Sequence, residues 1–131
     1  MPLADRADDP TIFNEENLWR RVHPTQIWND PNTGRLIISS AAFKGNSEMS
    51  VNIASLTTRE NVLLKYPEHS LAQFCAEVAR TVGCIVIRDP LPEDYSHALV
   101  CGKNPKGHLT DSQAKKIAGQ SSVIVYKNRS I

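Results

Sequence analysis

The chain has 131 residues, a formal net charge of +1, 40% hydrophobic residues and 22% charged residues. A chain of this size folds as one domain and buries a core without disulfides or metals to hold it together. The near-zero charge excludes a strong overall attraction to nucleic acid or acidic membranes, and no apolar run approaches the roughly 20 residues that span a bilayer.

The start of the chain and its cysteines predict a cytoplasmic protein. Residues 1–6 lack the basic and apolar regions of a signal peptide, so we expect no export. Cys75, Cys84 and Cys101 are odd in number and far apart, whereas metal-ligating cysteines normally come in close pairs. We therefore expect reduced thiols, no metal site and no cofactor.

The first part of the chain predicts a tail and a helix. Residues 1–12 are polar, rich in Asp and without periodicity, which indicates a flexible tail ahead of a single domain over residues 13–131. Asn14 then predicts a helix start, because acidic residues fall in the first turn and two arginines in the last. This helix would end before Pro24, since the residue before a proline avoids helical geometry.

Two kinds of pattern predict the remaining elements. Alternating apolar and polar residues, or short β-branched runs, indicate strands. A Ser or Thr followed three residues later by Glu or Gln indicates a helix start. The helix over 70–82 is predicted most strongly, because its apolar residues recur at helical spacing before Gly83. The predicted strands are 35–40, 49–54, 84–87, 98–100 and 123–126, and the predicted helices are 57–66, 70–82 and 110–119.

The order of these elements, α-β-β-α-α-β-β-α-β, sets the fold class. Together with the strongly amphipathic helix near its centre, this order indicates an α+β protein. We expect a single-layer sheet, mixed or mainly antiparallel, packed by three to four helices.

The densest polar chemistry lies in residues 89–97, here called the acidic linker, between two apolar runs. Its acids Asp89, Glu93 and Asp94 are of the type that binds divalent cations, and His97 could act as a general base. The spacing matches no calcium loop, however, and two prolines hold the acids on an extended path. A solvated loop, with His97 satisfied by a nearby carboxylate or carbonyl, is the structural alternative.

A second set of candidate residues lies near the Pro24 turn. An arginine from an early element with a serine pair from a later strand resembles the skeleton of ADP-ribosyltransferase sites, although that family's Gln/Glu-x-Glu arrangement is missing. An enzyme on this plan would be a small hydrolase or transferase acting on a phosphate-bearing substrate. Its catalytic residues would be Arg21, His23, Ser39 and His97, with Asp94 orienting an imidazole.

Basic residues suggest a third class of function, nucleic-acid or anion binding. Gly102 and Gly107 have the spacing of a phosphate loop, but His108 and Leu109 follow where such a loop needs Lys and Ser or Thr. A solvated basic turn is the structural alternative, and with a net charge of +1 we expect no nucleic-acid binding. The residues that such binding would use are Arg20, Lys103, Lys106 and Lys115.

Several short motifs resemble those of a small prokaryotic protein family for which no activity is established. They are His23-Pro24-x-Gln26, Gly34-Arg35, Ser39-Ser40-Ala41-Ala42-Phe43, Met49-Ser50-Val51, Asp89-Pro90-x-Pro92-Glu93-Asp94 and Ser96-His97-Ala98. The resemblance covers about residues 18–127. It implies a prokaryotic, cytoplasmic origin and brings no activity, cofactor or site residue with it.

The small size, the near-zero charge and the lack of a complete catalytic constellation favour a role without catalysis. We expect a protein-interaction or accessory subunit of a prokaryotic cytoplasmic system, docking on a partner protein and on no membrane. The hydrolase or transferase is the alternative, and the nucleic-acid-binding module is the third possibility.

Overall fold

The computed structural model describes residues 7–45 and 47–127. Within these ranges the chain forms strands and α-helices joined by loops and short 3-10 turns. The strands are β1 (Asn17–Val22), β2 (Ile27–Asn29), β3 (Leu36–Ile38), β4 (Met49–Ile53), β5 (Ser70–Cys75), β6 (Ile85–Arg88), β7 (His97–Cys101) and β8 (Ser122–Val125). The helices are α1 (Arg59–Leu63), α2 (Ala76–Thr81) and α3 (Asp111–Gln120). None of these helices has the length and apolar character needed to cross a membrane.

Six of the strands form one sheet in the order β6-β7-β4-β1-β5-β8, and β2 and β3 form a separate two-stranded ribbon. Every strand pair in the described part of the chain is antiparallel. The prediction of an α+β fold with a mainly antiparallel sheet is thus confirmed, and three helices agree with the expected three to four.

The two faces of the sheet are covered unequally. Alternate residues of β1 point to opposite faces, so Leu18 and Val22 join the main core with residues of α2 and α3. Trp19 lies on the opposite face of β1 and packs in a smaller cluster with Val62 and Leu63 of α1. Because α1 is only five residues long, the second face of the sheet stays partly open.

The helix predicted from Asn14 is wrong, because this segment forms strand β1. Leu18 and Val22 are four residues apart, a spacing that places two side chains on one face of a helix and equally on one face of a strand. Strands β4 and β5 flank β1 on both sides and satisfy its backbone hydrogen bonds. Tertiary pairing therefore decides an ambiguous local pattern.

The helix predicted over 70–82 is correct only in its second half. Residues 70–75 form β5, and α2 covers 76–81. Ser70, Leu71 and Ala72 are all 0% exposed, as is typical of a strand buried on both faces rather than of a one-sided helix. Gly83 does end the helical segment, with a φ of +91° that other residues rarely adopt.

The other elements agree more closely with the patterns. Strands β4, β6, β7 and β8 and helix α3 form where they are predicted, and Thr110 and Gln113 make the expected capping box. The N-cap of helix α1 is Thr58, one residue later than the predicted cap Thr57, because Thr58 accepts the capping hydrogen bond from Asn61, and the helix ends at Leu63 rather than at residue 66. Strand β3 lies inside the predicted strand 35–40, whereas β2 was not predicted.

The described part of the predicted tail packs against the domain. The backbone N–H of Asp9 donates to the carbonyl of Val86 (2.9 Å), and the N–H of Val86 donates to the carboxylate of Asp8 (2.8 Å). Asp8 also pairs with Arg80, and Ile12 is 2% exposed. Asp8, Asp9 and Ile12 thus contact the domain, the boundary at residue 13 stays a prediction, and residues 1–6 lie outside the described residues.

Candidate functional site

A cleft of about 500 Å³ lies on the partly open face of the sheet, between helix α1 and the acidic linker. This volume is in the range of ligand-binding pockets. Its polar floor is formed by Arg21 of β1, Ser50 and Asn52 of β4, and His97 of β7. Five large side chains form its rim, which we call the apolar rim: Leu56, Leu64, Tyr66, Leu91 and Tyr95.

Strand alternation and register place the floor residues side by side. Ser50 and Asn52 are the polar positions between the core residues of β4, as the alternation predicts. Asn52 pairs with Trp19 of β1 on one side and with His97 of β7 on the other. Two strand spacings of about 4.8 Å, and two residues along β1, then put the Cα atoms of Arg21 and His97 roughly 12 Å apart.

Asp94 fastens the acidic linker to the floor of the cleft. Its carboxylate accepts hydrogen bonds from Ser96 Oγ (2.6 Å), Ser96 N (3.2 Å) and Asn52 Nδ2 (2.7 Å). Partial burial raises the pKa of Asp94, but these hydrogen bonds outweigh it, so the pKa lies below its usual value. Asp94 is therefore an ionised structural anchor.

Asp89, rather than Asp94, contacts the imidazole of His97. His97 Nδ1 lies 3.0 Å from the carbonyl oxygen of Asp89 and 3.1 Å from its carboxylate Oδ2. Both atoms are acceptors, so Nδ1 carries a proton, and in the neutral ring Nε2 is left to accept one. The expectation that Asp94 orients an imidazole is corrected accordingly.

Arg21 places its guanidinium over an aromatic ring. Its guanidinium carbon lies 4.1 Å from the centroid of Tyr66, whose ring contacts His69 edge to face. Within residues 7–45 and 47–127, no carboxylate lies within ion-pair distance of Arg21 and no acceptor takes a hydrogen bond from its side chain. This makes Arg21 the cation of the floor best placed to bind an anionic group.

The five predicted catalytic residues do not assemble in one site. Arg21, Asp94 and His97 line the cleft, whereas His23 and Ser39 do not. His23 caps a 3-10 turn by accepting from Thr25 N, and its ring contacts His69. Ser39 caps the following 3-10 turn by accepting from Ala41 N at 3.2 Å. Both side chains thus serve local turns.

The predicted phosphate-binding residues do not form one surface either. Arg20 points to the helix-covered face and donates to the carbonyls of Ala42 and Ser50, each at 3.0 Å. Burial, aided by the nearby charge of Arg21, lowers the pKa of Arg20 to about 10. Arg20 is therefore not available to bind a phosphate group. Lys103, Lys106 and Lys115 are exposed, but they do not line the cleft.

The cysteines and acids offer no metal centre in the described part of the chain. No group of three or more His, Cys, Asp or Glu side chains there is arranged to hold a metal ion. Cys84 and Cys101 are buried, and burial raises the pKa of Cys84 to about 11. A thiol with this pKa is protonated at neutral pH and is a poor nucleophile.

Sequence reasoning missed two parts of the site. Asp89 was considered as a cation ligand but not as the partner of His97, although the proline-stiffened linker starts and ends with these two residues. The apolar rim was missed because its members are scattered from residue 56 to residue 95. A large apolar side chain in a polar loop, as Tyr95 is, was the available signal.

Comparison with known proteins gives no assignment. The chain matches no protein family, no curated protein and no solved structure. The resemblance to a prokaryotic family therefore stays a prediction.

Proposed function

We propose that this chain is a protein-interaction subunit whose cleft binds a segment of a partner protein. The observation that carries the proposal is the distribution of exposed apolar side chains. Among the described residues, eight large hydrophobic side chains are exposed, and five of them line this one cleft. The other three, Phe13, Trp28 and Tyr126, lie elsewhere. Large apolar side chains gathered around a concave surface are typical of docking sites.

The chemistry of the rim suits protein recognition. Tyr66 and Tyr95 are 40% and 63% exposed, and each offers a large apolar ring with a polar end. Tyrosine is enriched among the residues that dominate binding energy at protein interfaces. The Arg88 guanidinium lies 4.8 Å from the Tyr95 ring centroid and supports this ring from one side.

The walls of the cleft are held in place before any partner binds. Asn52 donates to both Asp94 (2.7 Å) and Ser96 (2.8 Å), so the acidic linker is tied to the central sheet. Residues 91 and 94 close a tight turn through two backbone hydrogen bonds of 3.0 Å. A site that is ordered in advance loses less conformational entropy on binding.

The charges of the cleft favour a protein segment over nucleic acid. Arg21 and Lys65 are balanced by Glu93 and Asp94, so the charged side chains that line the cleft sum to zero with His97 neutral. A polyanion needs a surface of net positive charge. A polypeptide, which presents apolar side chains and single charges, fits this lining better.

Site-specific photo-crosslinking tests the proposal. A photoreactive amino acid replaces Tyr95 in one version of the chain and Phe13 in the other, two positions that are both 63% exposed. We expect the Tyr95 position to form a covalent adduct with a distinct polypeptide in the native cell extract, and the Phe13 position not to form it. The same set of adducts at both positions, or none at Tyr95, would exclude the cleft as a docking site.

One observation supports a second candidate function, a small hydrolase or transferase. His97 is held at Nδ1 by Asp89, and it shares the cleft with Arg21. A fixed imidazole with an available Nε2 is suited to general base catalysis, and a guanidinium is suited to holding a phosphate-bearing substrate. His97→Gln separates this function from docking.

A further inference from the structure

We propose that the partner segment bound in the cleft presents an Asp or Glu carboxylate to Arg21, next to apolar side chains that pack on the rim. This inference rests on the proposed docking function and specifies the chemistry of the bound segment. It concerns a direct contact between one acidic side chain of the partner and the Arg21 guanidinium.

Arg21 is positioned for such a contact. The guanidinium carbon of Arg21 lies 4.1 Å from the centroid of the Tyr66 ring, and its backbone belongs to strand β1 at the centre of the sheet. A guanidinium presents parallel N–H donors that match the two oxygens of a carboxylate. Because no described side chain takes these donors, they are available to a ligand of the cleft.

The surroundings favour a carboxylate over a phosphate group. Arg20 next to Arg21 is buried and turned to the other face of the sheet, so only Lys65 adds positive charge within the cleft. Glu93 and Asp94 form the opposite wall. Arg21 neutralises a single negative charge, whereas the second charge of a phosphate would add repulsion from these two acids, with only Lys65 left to offset it.

Apolar side chains of the rim lie on both sides of Arg21. Leu64 and Tyr66 follow helix α1 on one wall, and Leu91 and Tyr95 lie on the other. A bound segment that reaches Arg21 must therefore pass between two apolar walls. The recognition pattern expected is one acidic residue with large apolar residues close to it in sequence.

Selection from a displayed library of random peptides tests the inference on the full chain. We expect wild-type protein to enrich peptides that combine Asp or Glu with large apolar residues. The Arg21→Gln variant should still prefer apolar peptides but should lose the preference for acidic residues. Its affinity for an acidic peptide selected with the wild-type protein should be at least about tenfold lower. Arg21→Lys should retain part of the affinity, because it keeps the charge but loses the paired donors.

The control is Arg35→Gln, which removes the same charge from an exposed turn outside the cleft and should leave the selected motif unchanged. Thermal denaturation of each variant checks that it is folded. If a folded Arg21→Gln protein still enriches acidic peptides, or if phosphoserine in place of the acid binds more tightly, the inference is overturned.

The outcome also separates this inference from the docking function. Peptides whose binding depends on Tyr95 but which show no acidic preference would overturn the role of Arg21 and leave docking in place. If no enriched peptide loses affinity in Tyr95→Ala, the docking function itself fails, and the inference fails with it.

Discussion

At the scale of single residues, the shape of the cleft depends on side chains that each make several hydrogen bonds. Asp94 is the clearest example, with hydrogen bonds to two residues that are almost fully buried, Asn52 and Ser96. Removing a carboxylate that satisfies buried donors costs about 1–3 kcal/mol, because those donors then lack an acceptor. The shape of the cleft therefore depends on the ionised state of this one group.

This dependence predicts an effect of pH on stability. The folded-state pKa of Asp94 lies below its unfolded value, so its contribution is fully present above about pH 4–5 and is lost as the pH falls through the folded pKa. We expect the melting temperature of Asp94→Asn to be lower than wild type at pH 7 and to converge with it toward pH 3. Glu15→Gln removes an exposed acid outside the cleft and serves as the control. A constant difference between Asp94→Asn and wild type over this range would contradict the role given to Asp94.

His97→Gln distinguishes docking from catalysis. For a docking protein, we expect folding or binding to change only to the extent that Gln fails to replace the hydrogen bond to Asp89. For an enzyme that uses His97 as general base, the fold and ligand binding would persist while the rate falls by about 10²–10⁴-fold. Melting temperature, partner affinity and turnover of a phosphate-ester panel, measured on one preparation, decide between them.

Gly102 is required for close packing of the loop before α3. A Cβ atom at this position would lie 2.4 Å from the carbonyl oxygen of His108, a backbone atom that cannot move aside cheaply. We expect Gly102→Ala to destabilise the protein by more than about 2 kcal/mol. Gly119→Ala in helix α3, where a Cβ meets open space, should instead stabilise it by about 0.5–1 kcal/mol. Denaturant unfolding of both variants checks the prediction, and equal effects would contradict it.

At the scale of elements, the sequence correctly predicts those helices and strands whose formation depends on residues close together in the chain. The capping box of α3 and the alternation of β4 depend on neighbours in sequence, and both are confirmed. Strands β1 and β5 depend on pairing with strands far away in the chain, and both were predicted as helices. Local spacing carries no information on such pairing.

The same distinction applies to the candidate site. The acidic linker, which ends at His97, was predicted to form a polar loop at the end of a strand, and its residues 93–97 do line the cleft. His23 and Ser39 were expected beside them, but each caps a short turn instead. Arg21 and His97 line the same cleft because of the strand order β7-β4-β1, which no local pattern specifies.

The segment ahead of β1 is predicted to be part of the stable fold. Ile12 is 2% exposed, whereas its neighbour Phe13 is 63% exposed. We expect Ile12→Ala to lower the free energy of unfolding by about 2–4 kcal/mol and Phe13→Ala to change it by less than about 0.5 kcal/mol. Urea denaturation of both variants is the measurement. A negligible effect of Ile12→Ala would show that the segment is a tail after all.

At the scale of the whole molecule, the sheet separates a helix-covered face from a partly open one. Helices α2 and α3 cover one face and complete the main core. On the other face, α1 and the acidic linker leave a gap that the cleft occupies.

The affinity of the crosslinked partner for purified variants tests the central claim most directly. Measured by calorimetry, Tyr95→Ala should bind the partner at least about tenfold more weakly than wild type, as expected for a tyrosine that packs against the bound segment. Phe13→Ala, equally exposed but outside the cleft, should bind as wild type does. Equal affinities of Tyr95→Ala, Phe13→Ala and wild type for this partner would contradict the account.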